Sequence, residues 1–137
     1  MTSNQVNTRL SIGKVEGFED LLVWQKGMAL VKIVYEITRS FPNDERFGLV
    51  AQMRRAAVSI PSNIAEGQAR HSTREFVLFI PHAEGSVAEL STQLLLCVEL
   101  GFCTDEQIKE AAELTKELRR MLNALRRKLE GLERSDK

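Results

Sequence analysis

The chain has 137 residues, 43% of them hydrophobic and 28% charged, with 19 basic residues against 19 acidic ones. That length suits one ordinary domain, and that composition excludes a disordered chain. A formal net charge of zero excludes an overall basic excess as the route to nucleic acid, and no uncharged apolar run reaches the roughly 20 residues that a membrane span needs.

Residues 1–17 are polar and aperiodic and read as a flexible arm. They carry no apolar run of the secretory kind, so a cytoplasmic protein is expected. From Phe18 to Phe41 the spacing predicts a helix. Trp24, Met28, Val31 and Tyr35 form one stripe, and Leu30, Val34, Ile37 and Phe41 form its neighbour. Phe41-Pro42-Asn43-Asp44 ends that helix with turn chemistry. A second helix is predicted from about Asp44 to Ala65. Its apolar face is Leu49, Met53, Ala56, Ala57, Ile60 and Ile64, and Gly67 is its expected stop.

Ser72 and Glu75 have the spacing of a capping box and open a third helix over Thr73–Leu100, which Gly101 ends. Pro81 inside it predicts a kink or a break. Thr104 and Gln107 form a second capping box. The fourth helix repeats Ile108, Ala111, Thr115, Leu118, Leu122, Leu125, Leu129 and Leu132 in steps of three and four. That is a heptad seam, which packs on its neighbours at a shallow angle. No stretch alternates usefully with period two. The expected fold is all-α, an antiparallel up-and-down four-helix bundle over residues 18–132, with residues 133–137 as a flexible tail.

The segment AVSIPSNIAEG, Ala57 to Gly67, places Pro61 inside the second helix. An interior proline removes a backbone donor and costs roughly 3 kcal/mol, and it leaves the Ala57 carbonyl in want of another donor. Arg55, Ser59, Ser62 and Glu66 share the polar face, with Asn63 at its boundary. A solvated face usually carries Lys, Glu and Gln. Small hydroxyls around a proline fit either close approach by a second subunit or a kinked surface helix, and spacing does not choose between them. Ser59 or Ser62 as a nucleophile, with Glu66 or His71 as base, is a weaker reading. No GxSxG elbow surrounds either serine, and no acid is placed to orient His71.

FEDLLVWQKGMALV, QMRRAAVSIPSNIAEGQAR and EGSVAELSTQLLL closely resemble the four-helix-bundle family of the bacterial 23S rRNA intervening-sequence proteins. Accessory proteins of diversity-generating retroelements are similar at a greater distance. The resemblance covers residues 18 to about 130. It implies an up-and-down bundle assembled as a homopentamer, a short barrel with a central channel, and a link to RNA or other structured nucleic acid. It also implies structural and inter-subunit roles for Arg55, Ser59, Ser62, Asn63 and Glu66 around a tolerated Pro61. Pro81-His82 departs from the family, which has a helix-compatible pair there.

Charge is segregated along the chain, which bears on partners more than the total does. Residues 46–74 hold five Arg against one Glu, residues 75–118 hold nine acids against two Lys, and residues 119–134 hold six basic residues against two Glu. One basic group is Arg54, Arg55, Arg70, His71 and Arg74. The other is an outward stripe on the fourth helix, Lys116, Arg120, Arg127 and Arg134, flanked by Arg119, Arg126 and Lys128. Such a stripe tracks phosphates, and repetition around an oligomer multiplies a modest affinity. The alternative is that these cations pair with the acidic stretch Glu106–Glu117, in the same or adjacent subunits, leaving a protein-only scaffold. The aromatics fall mostly at core spacing, which argues against base stacking.

No metal, cofactor or catalytic set is expected. The Glu-x-x-His pattern of di-iron bundles is missing: Gln68 precedes His71 and Phe79 precedes His82 at that spacing. Cys97 and Cys103 form no CxxC pair and have no histidine beside them, so they read as ordinary thiols.

Overall fold

The computed structural model describes residues 16–135. The expected arm up to residue 15 and the last two residues of the expected tail lie outside these. Four α-helices follow in order: α1 Leu22–Thr38, α2 Leu49–Ala69, α3 Thr73–Glu99 and α4 Asp105–Ser135. Each packs on the next, and α4 closes on α1.

The register of side-chain contacts fixes the directions. Gly27 meets Pro61 while Arg54 reaches Thr38, so α1 and α2 are antiparallel. Ser59 bonds Ser86 while Gly67 meets Phe76, so α2 and α3 are antiparallel. Arg126 bonds Glu84 while Cys103 touches Cys97, so α3 and α4 are antiparallel. One end of the bundle therefore holds the start of α1, the α2–α3 turn and the last turns of α4. The other holds the α1–α2 loop and the α3–α4 turn.

The heptad seam of α4 is the apolar stripe it was read to be. Ile108, Ala111, Thr115, Leu118, Leu122, Leu125 and Leu129 are buried, and Leu132 is exposed. With 31 residues, α4 is about 46 Å long at 1.5 Å per residue. Leu132, in the last turn, is the least covered position of the seam, at 39% exposure. The helix runs to Ser135, which makes residues 133–135 helical where a tail was expected.

Boundaries moved where a cap or a glycine outweighed periodicity. Residues 18–41 are not one helix. Phe18–Asp20 is a 3-10 turn, Leu21 is extended and buried, and α1 starts after it. Phe18 packs on Trp24 with ring centroids 5.3 Å apart. At the far end, the Thr38 hydroxyl donates back to the Val34 carbonyl at 2.8 Å. α2 starts at Leu49 rather than Asp44, because Gly48 leaves helical geometry (φ −100°, ψ −112°). The Glu45 carboxylate accepts from the Leu49 N–H at 3.2 Å and takes up one orphan donor.

Both prolines are carried inside unbroken helices, so the break considered at Pro81 does not occur. Pro61 is buried, and a Cβ built on Gly27 would lie 3.5 Å from its ring. Pro81 is exposed. Both expected caps form, but only the second is a full capping box. Ser72 Oγ accepts from the Glu75 N–H at 3.3 Å. The Thr104–Gln107 pair is reciprocal, at 3.2 Å and 2.8 Å.

Candidate nucleic-acid interface

The α2–α3 turn is built by an unusual stop. α2 runs two residues past Gly67, and the residue that leaves helical geometry is His71, at φ 57°. Its N–H bonds the Gln68 carbonyl at 3.2 Å. A left-handed conformation costs an ordinary residue roughly 1–2 kcal/mol, which glycine avoids. Gly67, expected to be the stop, does something else. A Cβ there would lie 2.7 Å from Phe76 Cδ1 and 2.8 Å from Phe79 Cβ. It is the point where α2 lets α3 come close.

That close approach places His71 in a cleft of about 180 Å³ with Leu21, Gln68, Thr73, Phe76 and Leu129. Leu129 belongs to α4, so the turn and the C-terminal part of α4 share one end of the bundle. Arg70 and Arg74 flank the turn, and Arg127 and Arg134 lie on the outward side of the last turns of α4. All four are exposed. The Arg70 guanidinium sits 5.1 Å over the Phe79 ring. Arg74, Arg127 and Arg134 have no ion pair among the described residues. Two basic groups more than fifty residues apart in sequence thus lie at the same end of the bundle.

The other basic residues divide differently. Arg54 is half-buried and holds α2 to α1. Its Nε donates to Thr38 Oγ1 at 2.9 Å, and its guanidinium lies 4.4 Å from the Tyr35 ring centroid. Lys116 and Arg120 are exposed but share a shallow depression with Glu110, Glu113 and Glu117, which lowers the local positive potential. Arg126 bonds Glu84 at 3.1 Å and Asn123 at 2.6 Å. The acidic stretch takes little of this charge within the chain: Glu117 pairs with Lys26, at 3.0 Å.

The AVSIPSNIAEG segment also divides. Ser59 and Asn63 face α3, where Asn63 Nδ2 donates to Ser59 Oγ at 2.9 Å and Ser86 Oγ donates to the same oxygen at 2.8 Å. Asn63 also donates to the Ser59 carbonyl at 2.8 Å. Pro61 and Gly67 are buried inside the chain. Arg55, Ser62 and Glu66 are exposed. Ser62 borders a shallow apolar groove between α1 and α2 with Trp24, Met28, Val31, Val58 and Ala65. Exposed leucines also stand near the two ends of α3, Leu78 at 64% near its start and Leu95 and Leu96 at 63% and 43% near its finish.

Sequence reasoning missed His71 as a helix stop, because histidine carries no turn signal. It also missed Phe47, which is 86% exposed in the α1–α2 loop with the Arg46 guanidinium 5.1 Å over its ring. Its place between helices, outside any apolar period, was the available signal. Among the described residues no group of three or more His, Cys, Asp or Glu is placed to hold a metal ion. None of the described helices is long and apolar enough to cross a membrane.

Residues 19–124 match the family model described as 23S rRNA-intervening sequence protein. The fold is similar to the crystal structure of a protein of unknown function from the S23 ribosomal protein family of Bacteroides thetaiotaomicron. The two share 23% sequence identity with a TM-score of 0.67, over 76% of this chain and 97% of that one. No curated protein is significantly similar to the chain. With the match spanning most of its length and the helices in the same arrangement, the chain belongs to the 23S rRNA-intervening sequence protein family.

Proposed function

We propose that this protein is a non-enzymatic, cytoplasmic, self-assembling helical bundle that binds RNA or other structured nucleic acid through the basic end described above. The single observation that carries this reading is the placement of Arg70, Arg74, Arg127 and Arg134 at one end, none of them paired with an acid among the described residues. Unpaired guanidinium groups bind phosphate oxygens as forks and release counterions as they do so. Shape and backbone recognition fit better than base readout, because that end offers cations and no exposed aromatic platform.

Self-assembly is supported by the two apolar surfaces. The groove at Ser62 and the exposed pair Leu95 and Leu96 are different patches. A contact between unlike patches is heterologous, and heterologous contacts form a ring where the rotation between neighbours closes. A pentameric ring would present the basic end five times, and multivalency would turn weak phosphate contacts into useful affinity.

The test is light scattering on the protein as it leaves a sizing column, followed by titration of a structured RNA at several salt concentrations. The expected result is a mass near five protomers and an affinity that falls steeply with salt. Ser62→Leu should break the assembly. A pentamer with no salt-dependent RNA affinity would leave a protein-only scaffold, and a monomer would remove the ring.

A further inference from the structure

The α3–α4 turn assembles a pair of thiols. α3 ends with Leu100 still helical and Gly101 in the left-handed region at φ 79°. The Phe102 N–H returns to the Cys97 carbonyl at 2.9 Å, and the Gly101 N–H returns to the Val98 carbonyl at 3.0 Å. This is the paired hydrogen-bond pattern of a Schellman stop, and it folds the chain back over the last turn of α3. The next residue, Cys103, donates its own N–H to the same Cys97 carbonyl at 3.3 Å. Its Sγ comes to rest 2.7 Å from Cys97 Sγ.

The two sulfurs are not equivalent. Cys97 is fully buried, and Cys103 is half-buried. Burial, and then the neighbouring Cys103, push the Cys97 thiol up to about 12. Cys103 is therefore the sulfur a small molecule can reach, and Cys97 is the sulfur held behind it. Phe102 between them packs on Phe41 with ring centroids 5.5 Å apart, which holds the turn against the α1–α2 loop.

We propose that Cys97 and Cys103 form a reversible dithiol–disulfide site whose co-substrate is a small-molecule disulfide such as oxidised glutathione. The Cys103 thiolate attacks one sulfur of that disulfide. The small S–S bond breaks, a mixed disulfide forms on Cys103, and one small thiolate leaves and takes a proton. Cys97 then loses its proton and attacks Cys103 Sγ. The mixed S–S bond breaks, the intrachain bond forms, and the second small thiol leaves. The protein gives up two electrons and two protons, and the small disulfide gains them. Once Cys103 is in the mixed disulfide, its contribution to holding Cys97 protonated is gone, and burial is what remains. Proximity favours the second step, because the nucleophile is already in contact.

The test uses the reduced full chain, incubated with oxidised glutathione, capped with N-ethylmaleimide and weighed by intact mass spectrometry. The expected product is lighter by two hydrogen atoms and takes up no cap, and dithiothreitol restores both thiols. C97A should stop at the glutathione adduct on Cys103. C103A, left with the buried thiol, should add glutathione at least about tenfold more slowly than C97A. A chain that keeps two cappable thiols, a stable glutathione adduct on the unaltered chain, or a disulfide-linked dimer would each overturn the proposal. So would a C103A variant that reacts as fast as C97A.

Discussion

The turns at the two ends of α3 use the same left-handed backbone with different residues. At Gly101 the conformation is free of side-chain conflict, and the turn closes with two well-formed returning hydrogen bonds. At His71 the same region holds a residue with a full side chain, beside Arg70 and Arg74. The first turn is built for a quiet reversal of direction. The second accepts strain where the basic residues gather, and strain kept by a fold tends to mark sites that do something. The contrast sets a turn closed by glycine, beside the two thiols, against a turn closed by a strained histidine, beside the basic residues.

The largest expected effect comes from attacking that asymmetry through charge. Arg74→Glu with Arg127→Glu takes one cation from each sequence region. If both face the same nucleic acid, RNA affinity at low salt should fall by about a hundredfold, and the log–log salt slope should lessen by about two. Lys116→Glu with Arg120→Glu, beside Glu113 and Glu117, should lose distinctly less. Equal losses would mean that the long outward stripe, and not the basic end, carries the binding. Fluorescence anisotropy at several salt concentrations separates these outcomes.

Next in size is the close approach that shapes the cleft. Gly67→Ala would put a methyl against Phe76 and Phe79, and overpacking of this kind costs about 1–3 kcal/mol. Denaturant unfolding should show it. An unchanged midpoint would mean that α3 backs away freely and that the cleft is not rigidly set.

Smaller still is the exchange of the two stops. Gly101→Ala should destabilise by about 1 kcal/mol, because left-handed strain exceeds the entropy saved in the unfolded chain. His71→Gly reverses that balance, with a gain of at most about 1 kcal/mol, and should weaken RNA binding while the bundle becomes more stable. A variant that is more stable and binds RNA as before would reduce His71 to an accident of the turn.

Much of the bundle was legible in the chain. The heptad seam of α4 names its buried face nearly residue for residue, because a period of three and four leaves one side for the core. Ser72 and Thr104 announce the starts of α3 and α4, because a hydroxyl at that spacing satisfies orphan donors. The basic candidates were legible as types and not as a site. Arg54 looks the same as Arg74 in sequence, and only its Thr38 and Tyr35 partners on α1 show that it is committed to packing. Cys97 and Cys103 look like scattered thiols until one counts from Gly101 and sees that a Schellman stop brings the two flanking positions together.

The sequence by itself determined the helices, their polar and apolar faces and the family, since periodicity, caps and a specific motif are local properties of the chain. Tertiary structure decided what distance along the chain conceals. It turned Gly67 from a stop into a contact with Phe76 and Phe79 and set Pro61 against Gly27. It gathered Arg70, Arg74, Arg127 and Arg134 at one end. Each of these depends on where an antiparallel neighbour lies, and that is fixed by packing all four helices at once.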